Sequence, residues 1–62
     1  MSGPSDFLKE AARLRDMARR ARRMAGQVSI EPDRLRLEDY AHELEREAAD
    51  WEQRAAAGKQ QE

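Results

Sequence analysis

The chain has 62 residues, of which 40% are charged and 39% apolar, and it contains no cysteine. This length predicts one domain, and the lack of cysteine excludes a disulfide-stapled scaffold. No apolar run approaches the roughly 18 residues of a membrane helix. Residues 1–28 hold seven Lys/Arg and three acids, a charge of +4, whereas residues 29–62 hold five and ten, a charge of −5. The halves attract each other, and we expect a cytoplasmic protein.

The first predicted element is a helix over residues 6–25, preceded by a flexible leader at residues 1–5. Ser5 or Asp6 is expected to cap the helix, because a short side-chain oxygen accepts hydrogen bonds from the free N–H groups of the first turn. The helix interior lacks glycine and proline and is rich in residues that favour helices. Gly26 is expected to end the helix in a left-handed conformation.

The second predicted element is a helix over residues 32–57, after a turn at residues 26–31. Pro32 suits the first helical position, where its missing N–H would have no partner. Gly58 is expected to stop this helix. The polar residues 58–62 are then predicted to form a flexible end.

Apolar residues recur on both helices in alternating steps of four and three, a pattern typical of helices that share a core. One position per heptad is alanine, and small side chains let two helices approach closely. The stripes match in an antiparallel register, since the position numbers of Phe7 and Trp51, like those of Leu14 and Leu44, sum to 58. The sequence therefore predicts an all-α fold, a two-helix antiparallel hairpin. The predicted core residues are Phe7, Leu14, Ala18, Ala21, Val28, Leu37, Ala41, Leu44, Ala48 and Trp51.

Charged residues that border the alanine stripes extend this register. It predicts ion pairs between the helices that join Arg15 to Glu45 and Arg22 to Glu38. Such exposed pairs stabilise a fold by only a few tenths of a kcal/mol, but they help to set the orientation of the helices.

A hairpin this small is expected to need a partner, because a chain of about 60 residues removes only about 60% of its unfolded surface on folding. Met17, Met24 and Tyr40 widen the apolar stripes, and flexible thioethers suit a surface that packs against another molecule. We therefore predict that the hairpin dimerises into a four-helix bundle, with another protein as the alternative partner. The predicted oligomer interface comprises Phe7, Leu14, Met17, Ala21, Met24, Leu37, Tyr40, Leu44 and Trp51.

The arginines of the first helix are candidate nucleic-acid contacts, because guanidinium groups bind phosphates through two parallel hydrogen bonds. The candidates are Arg15, Arg19, Arg22 and Arg23. A solvated helix face explains their spread around the helix equally well. The acid-rich second helix would repel phosphates, so nucleic acid is not the partner we expect first.

Leu35, His42 and Ala49 form a second heptad row on the outer side of the second helix. This row is a candidate strip for docking a partner. A single exposed leucine is also ordinary in a small protein and needs no partner to explain it.

No pattern in the chain indicates a catalytic, cofactor or metal site. Glu38, His42 and Glu45 lie within reach of one another on one helix, but His42 and Glu45 are off the apolar stripe, whereas helical carboxylate sites project into the core of a bundle. Solvent-exposed carboxylates also lack the water-poor pocket that gives a catalytic acid or base its shifted pKa. We therefore expect a protein that is not an enzyme and that holds no cofactor.

In its length, its short connection and its alanine-containing heptads, the chain resembles the Rop family of plasmid copy-number regulators. The resemblance implies a hairpin that dimerises into a four-helix bundle and binds paired RNA loops. No binding motif aligns, so no RNA-contacting position is carried over.

Three segments also look like those of short uncharacterised hairpin proteins from GC-rich proteobacteria, a resemblance that covers residues 8–57 and implies a bacterial cytoplasmic protein. The segments are Arg20-x-x-Arg23-Met24-Ala25, Glu31-Pro32-x-Arg34-Leu35 and Tyr40-Ala41-x-x-Leu44-Glu45. The function predicted first is that of a non-enzymatic adaptor or regulator that acts as a homodimeric bundle. An RNA-binding regulator and a structural subunit of a larger assembly are the alternatives.

Overall fold

The computed structural model describes residues 3–60, with side chains for residues 3–58. It consists of two helices, α1 (Pro4–Gln27) and α2 (Glu31–Gln60), joined by a short turn at residues 28–30. The helices pack against each other in an elongated molecule of 49 × 14 × 13 Å. The predicted all-α hairpin is confirmed.

α1 begins two residues earlier than the sequence indicated. Gly3 is the N-cap in an extended conformation, Pro4 lies in the first turn, and the N–H of Phe7 donates to the carbonyl oxygen of Gly3 at 3.0 Å. Proline is favoured at this position because its fixed φ suits a helix and its missing N–H costs nothing. The prediction of a side-chain cap at Ser5 or Asp6 is wrong. Asp6 instead lies within the first turn, close to the positive end of the helix dipole.

α1 also continues through the glycine that was expected to end it. The N–H of Val28 donates to the carbonyl oxygen of Ala25 at 3.3 Å, and Gln27 is the last helical residue. No glycine in the described part of the chain has a positive φ. Gly26 is therefore an ordinary helical residue and not a left-handed stop.

Gly58 does not stop α2, which reaches Gln60. The backbone of Gly58 lies against the ring of Pro4, and a Cβ at Gly58 would be 3.1 Å from Cγ of that proline. The glycine therefore allows the end of α2 to pack closely on the start of α1. Residues 1–2 and 61–62 of the predicted flexible ends lie outside the described residues.

The core is a seam of alanines between the helices. Among residues 3–58, no polar or charged side chain is buried. Because a methyl group takes up little space, two helices lined with alanine pack closely but bury little apolar surface per residue. The buried residues are Ala11, Leu14, Ala18, Ala21, Ala25, Ala41, Leu44, Ala48 and Ala55.

The predicted core is confirmed in the middle of the hairpin and wrong toward its ends. Phe7, Val28, Leu37 and Trp51 are only half-buried, whereas three alanines outside the predicted set are buried, namely Ala11, Ala25 and Ala55. Phe7 and Trp51 lie at the open end and Val28 lies in the turn, where the other helix covers only part of a side chain. Leu37 lies at one edge of the seam. An alanine methyl at the same seam is covered completely.

The aromatic residues at the open end of the hairpin follow the predicted register. The ring centroids of Phe7 and Trp51 are 5.3 Å apart with an interplanar angle of 47°, a favourable tilted arrangement. The guanidinium carbon of Arg54 lies 4.9 Å from the centroid of the Trp51 ring and adds a cation–π contact. The contact between Phe7 and Trp51 joins the two helices at the end opposite the turn.

The hairpin exposes more surface than a compact protein of its size. Its accessible surface is 4915 Å², whereas a typical folded monomer of 7.2 kDa exposes roughly 4,100 Å². The excess arises because a single layer of two helices has no second layer to cover it.

Replacement of Gly26 by Ala is expected to stabilise the hairpin. A Cβ there meets no other atom within 4 Å, and alanine is favoured over glycine in a helix by up to about 1 kcal/mol. Urea denaturation should show a gain of about 0.5–1 kcal/mol. Gly58→Ala is the control and should gain less, since its Cβ would crowd Pro4. A loss of stability in Gly26→Ala would mean that this residue is left-handed.

Candidate interaction surface

One side of the hairpin carries a shallow groove of about 280 Å³ that is mostly apolar. Met24 and Tyr40 on this groove are 56% and 46% exposed, so two of the exposed large apolar side chains of the hairpin lie side by side here. We call this surface the apolar groove. It is lined by Met17, Arg20, Ala21, Met24, Leu37 and Tyr40.

The opposite side is closed by two ion pairs between the helices, and we call it the ion-paired side. Arg15 donates from Nε and Nη2 to the two carboxylate oxygens of Glu52 at 2.8 and 2.7 Å. Arg22 donates in the same way to Glu45 at 3.1 and 2.8 Å. Two-point contacts of this kind hold both side chains in one geometry.

The heptad positions explain why the two sides differ. Arg15 directly follows the core residue Leu14, whereas Met17 directly precedes the core residue Ala18. Each residue turns the helix by about 100°, so residues just after and just before the core stripe lie on opposite flanks. The sequence thus places salt-bridging residues on one flank and thioethers on the other.

The two ion pairs join residues one heptad further along α2 than predicted, and the predicted pairs Arg15 with Glu45 and Arg22 with Glu38 are wrong. Helical side chains lean toward the N-terminus of their own helix. In antiparallel helices, two long side chains therefore lean in opposite directions along the hairpin. An arginine of α1 meets a glutamate that lies further toward the open end than the residue of α2 directly facing it. The position numbers of the observed pairs accordingly sum to 67 and not to 60.

The ion pairs hold both glutamates in the charged form. Hydrogen bonds from Arg22 lower the pKa of Glu45 below its ordinary value, against a partial desolvation that acts to raise it, and the nearby positive charges lower it further. Hydrogen bonds from Arg15 lower the pKa of Glu52 in the same way. The pKa of each arginine is raised by the same contacts.

The candidate nucleic-acid residues do not form one surface. Arg15 and Arg22 are bound by carboxylates of α2 on the ion-paired side. Arg19 lies on the outer face of α1, where its side chain is 66% exposed and its Nη2 is 3.7 Å from Asp16 Oδ1. Arg23 is exposed and forms no ion pair with any residue between 3 and 58. Of these four arginines, only Arg19 and Arg23 form no ion pair with a described residue of α2.

The outer row of α2 is not a continuous apolar strip. Leu35 is 46% exposed and Ala49 is half-buried. Between them, Nδ1 of His42 lies 3.8 Å from Oε1 of Glu45, which accepts a hydrogen bond from Nη2 of Arg22. The row therefore adjoins the ion-paired side and carries a polar contact at its centre.

The residues predicted for the oligomer interface fall into three groups. Leu14 and Leu44 are only 4% and 5% exposed, because the other helix of the same chain covers them. Phe7 and Trp51 stack at the open end. The other five residues line the apolar groove, namely Met17, Ala21, Met24, Leu37 and Tyr40.

Arg20 is the groove residue to which sequence reasoning assigned no role. It precedes Met24 by four residues, a spacing that places two side chains on one helix face. The sequence alone therefore contains the signal that Arg20 lies beside Met24.

In the part of the chain that the structure describes, no three His, Cys, Asp or Glu side chains are grouped so that they could hold a metal ion. Glu38 lies 3.5 Å from Arg34, and Glu45 is bound by Arg22. Neither described helix has a stretch long and apolar enough to cross a membrane.

Comparisons with protein-family models, curated proteins and solved structures give no match to this chain. The resemblances to the Rop family and to the proteobacterial hairpins therefore stay predictions, and function is inferred from the two sides of the hairpin.

The hairpin is expected to lose stability as the pH falls below the ordinary pKa of glutamate. Folding lowers the pKa of Glu45 and Glu52, so their stabilisation is complete above the unfolded-state pKa and is lost as the pH falls through the folded-state values. Thermal melts between pH 7 and pH 2.5 should show this loss.

The double variant Glu45→Gln, Glu52→Gln should melt at a lower temperature near pH 7 and depend less on pH than the parent. Asp39→Asn is the control, because Asp39 is exposed and has no ion pair among the described residues. A double variant with the parent's full pH dependence would contradict the role of these ion pairs.

Proposed function

We propose that the protein is a small non-enzymatic interaction protein, an adaptor or regulator of another macromolecule, that acts as a homodimeric helical bundle. The proposal rests on the difference between the two sides of the hairpin. One side is closed by ion pairs, and the other presents the apolar groove.

The chemistry of the groove suits a protein partner. Met17 and Met24 are flexible and polarisable, so they adapt to an irregular opposing surface. Tyr40 combines a large apolar ring with a hydroxyl that can remain at a wet rim. Covering the groove removes Met24 and Tyr40 from water, two of the five large apolar side chains that are exposed among the described residues.

A second copy is the partner that fits this groove best. An interface with two-fold symmetry pairs one surface with itself, and each hairpin supplies both the methionines of α1 and the tyrosine of α2. Two hairpins joined in this way form a four-helix bundle, in which each layer of two helices covers the other. The accessible surface exceeds that of a compact monomer by about 800 Å², close to what one partner buries in a standard interface.

The same features support a role without catalysis. Between residues 3 and 58, no polar or charged side chain is buried, and Arg20 is the one charged residue of the groove. The altered pKa values belong to surface ion pairs, whereas catalytic groups acquire theirs in clefts. The proposal includes a cytoplasmic location, in keeping with a chain that has no cysteine for an oxidising compartment to pair.

Sedimentation across about a hundredfold range of concentration tests the proposal, with helix content recorded on the same samples. The parent should sediment at twice the chain mass. Met24→Glu should shift the equilibrium to monomer, because it places a charge in the apolar interface. The matched control is Leu8→Glu, since Leu8 is 44% exposed on the same helix but lies outside the groove. This control should dimerise like the parent.

Other outcomes would favour the alternatives. A parent that stays monomeric would contradict the homodimer and assign the groove to a different protein. Copurified material that absorbs near 260 nm, with binding that weakens in salt and on replacing Arg19 and Arg23 by Ala, would support an RNA-binding regulator. Growth beyond a dimer with increasing concentration would support a structural subunit.

A further inference from the structure

The two rims of the apolar groove carry charges of opposite sign. On α1, Arg20 lines the groove. On α2, Glu43 and Glu47 follow Tyr40 by three and seven residues, a spacing that places them on the same helix face as the tyrosine. Neither glutamate forms an ion pair with another described residue, and both are exposed. Arg36, four residues before Tyr40, is exposed on the same face nearer the turn. Each hairpin therefore has a basic rim on α1, and on α2 a rim that Glu43 and Glu47 make acidic toward the open end.

The position of Arg13 supports this description of the groove side. Its Nη1 donates to Sδ of Met17 at 3.2 Å, so it lies on the methionine flank of α1. The charge of Glu47 raises the pKa of Arg13, after the larger effect of the hydrogen bonds to Glu10. Glu47 thus lies near the same side of the hairpin as Met17.

Two-fold symmetry can bring two apolar grooves together with their helices aligned in two ways. An axis parallel to the helices puts both turns at the same end and places α1 of one copy against α2 of the other. An axis across the helices puts the turns at opposite ends and places α1 against α1. Both arrangements bury Met24 and Tyr40.

Charge favours the first arrangement. With the axis parallel to the helices, Arg20 of each copy approaches the acidic rim formed by Glu43 and Glu47 of the other. With the axis across the helices, the two copies of Arg20 lie opposite each other, because this residue is at the middle of the groove residues of α1. Opposed like charges select against an arrangement, and complementary rims select for one. Oδ2 of Asp16 lies 3.1 Å from Nη2 of Arg20. Because a guanidinium group has five N–H donors, Arg20 can bind a further carboxylate at the same time.

The area of contact favours the same arrangement. With the axis parallel to the helices, the whole groove side of one hairpin lies against that of the other. The area of this side is roughly 700 Å², the product of the hairpin's extents of 49 and 14 Å. That approaches the 800 Å² or so per partner of a standard interface. The groove lies nearer the turn than the open end. In the arrangement with the axis across the helices, which we call the crossed arrangement, the two hairpins therefore overlap over only about 18 residues of each helix, or about 27 Å. The remaining length of each hairpin would stay uncovered.

We infer that two copies associate through the apolar groove about an axis parallel to the helices, with both turns at one end and the basic rim of each copy on the acidic rim of the other. This inference rests on the proposed homodimer. It goes further in specifying which helices meet and which charges select that pairing.

A distance between labels at the open end tests the inference. The chain has no cysteine, so Ser5→Cys provides one attachment site on an exposed residue at the start of α1. Spin-label distances should lie below about 30 Å if the open ends are together, since helices in a bundle are about 10 Å across. The crossed arrangement would separate the labels by about 45 Å, at about 1.5 Å per residue from the middle of the groove.

A charge reversal gives an independent readout. Arg20→Glu should raise the dissociation constant of the dimer about tenfold at low salt, because it sets a negative charge against the acidic rim. Arg19→Glu is the matched control, since the two arginine side chains are 66% and 69% exposed and both lie near Asp16. The control should change the dissociation constant less than about twofold. The crossed arrangement predicts no weakening by Arg20→Glu, because two glutamates repel as two arginines do.

The outcomes separate the two proposals. Short label distances with a weakened Arg20→Glu dimer support the inference. A dimer with labels about 45 Å apart, or one insensitive to Arg20→Glu, overturns the inference and leaves the homodimer in place. A chain that remains monomeric at every concentration overturns the homodimer itself, and the inference with it.

Discussion

The close packing of two alanine-lined helices is the constraint from which the other features of the molecule follow. Alanines at seven core positions bring the helices together, and only Leu14 and Leu44 add large buried side chains. Because a methyl group buries little apolar surface, the seam orients the helices firmly but stabilises them weakly. Leu37 lies half-buried at the edge of the seam, and Phe7, Trp51 and Val28 lie half-buried near its two ends. A fold of this kind depends on its flanks for further stability.

The two flanks meet that need in different ways. On one flank, Arg15 and Arg22 reach across the seam and bind carboxylates of α2 through paired hydrogen bonds. On the other flank, Met17, Met24 and Tyr40 leave an apolar groove in which Arg20 is the one charged residue. The charged side chains of the ion-paired flank have their partners within one chain. The apolar side chains of the other flank stay exposed to water unless another surface covers them. The attraction between the basic first half and the acidic second half of the sequence thus joins the two helices of one hairpin on the ion-paired side. We propose that the same attraction joins two hairpins on the groove side.

Heptad spacing was sufficient to predict the hairpin and the middle of its core, and it singled out every groove residue except Arg20, because these depend only on which helix face a residue occupies. The partners of Arg15 and Arg22 were displaced by one heptad, since spacing along a helix does not include the lean of long side chains. Gly26 and Gly58 were taken for helix ends because glycine often has that role. At Gly58 the deciding contact is with Pro4, far away in sequence, and it appears only once the ends of the two helices are brought together.

Intermolecular contacts of the groove residues give the most direct test of the account. In a sample that mixes isotope-labelled and unlabelled chains, isotope-filtered nuclear Overhauser spectra report only contacts between different copies. The account predicts cross-peaks from the methyl groups of Met17 and Met24 in one chain to the ring of Tyr40 in the other. Cross-peaks that instead involve Leu35 and the outer row of α2, or the absence of any cross-peak between copies at high concentration, would contradict it.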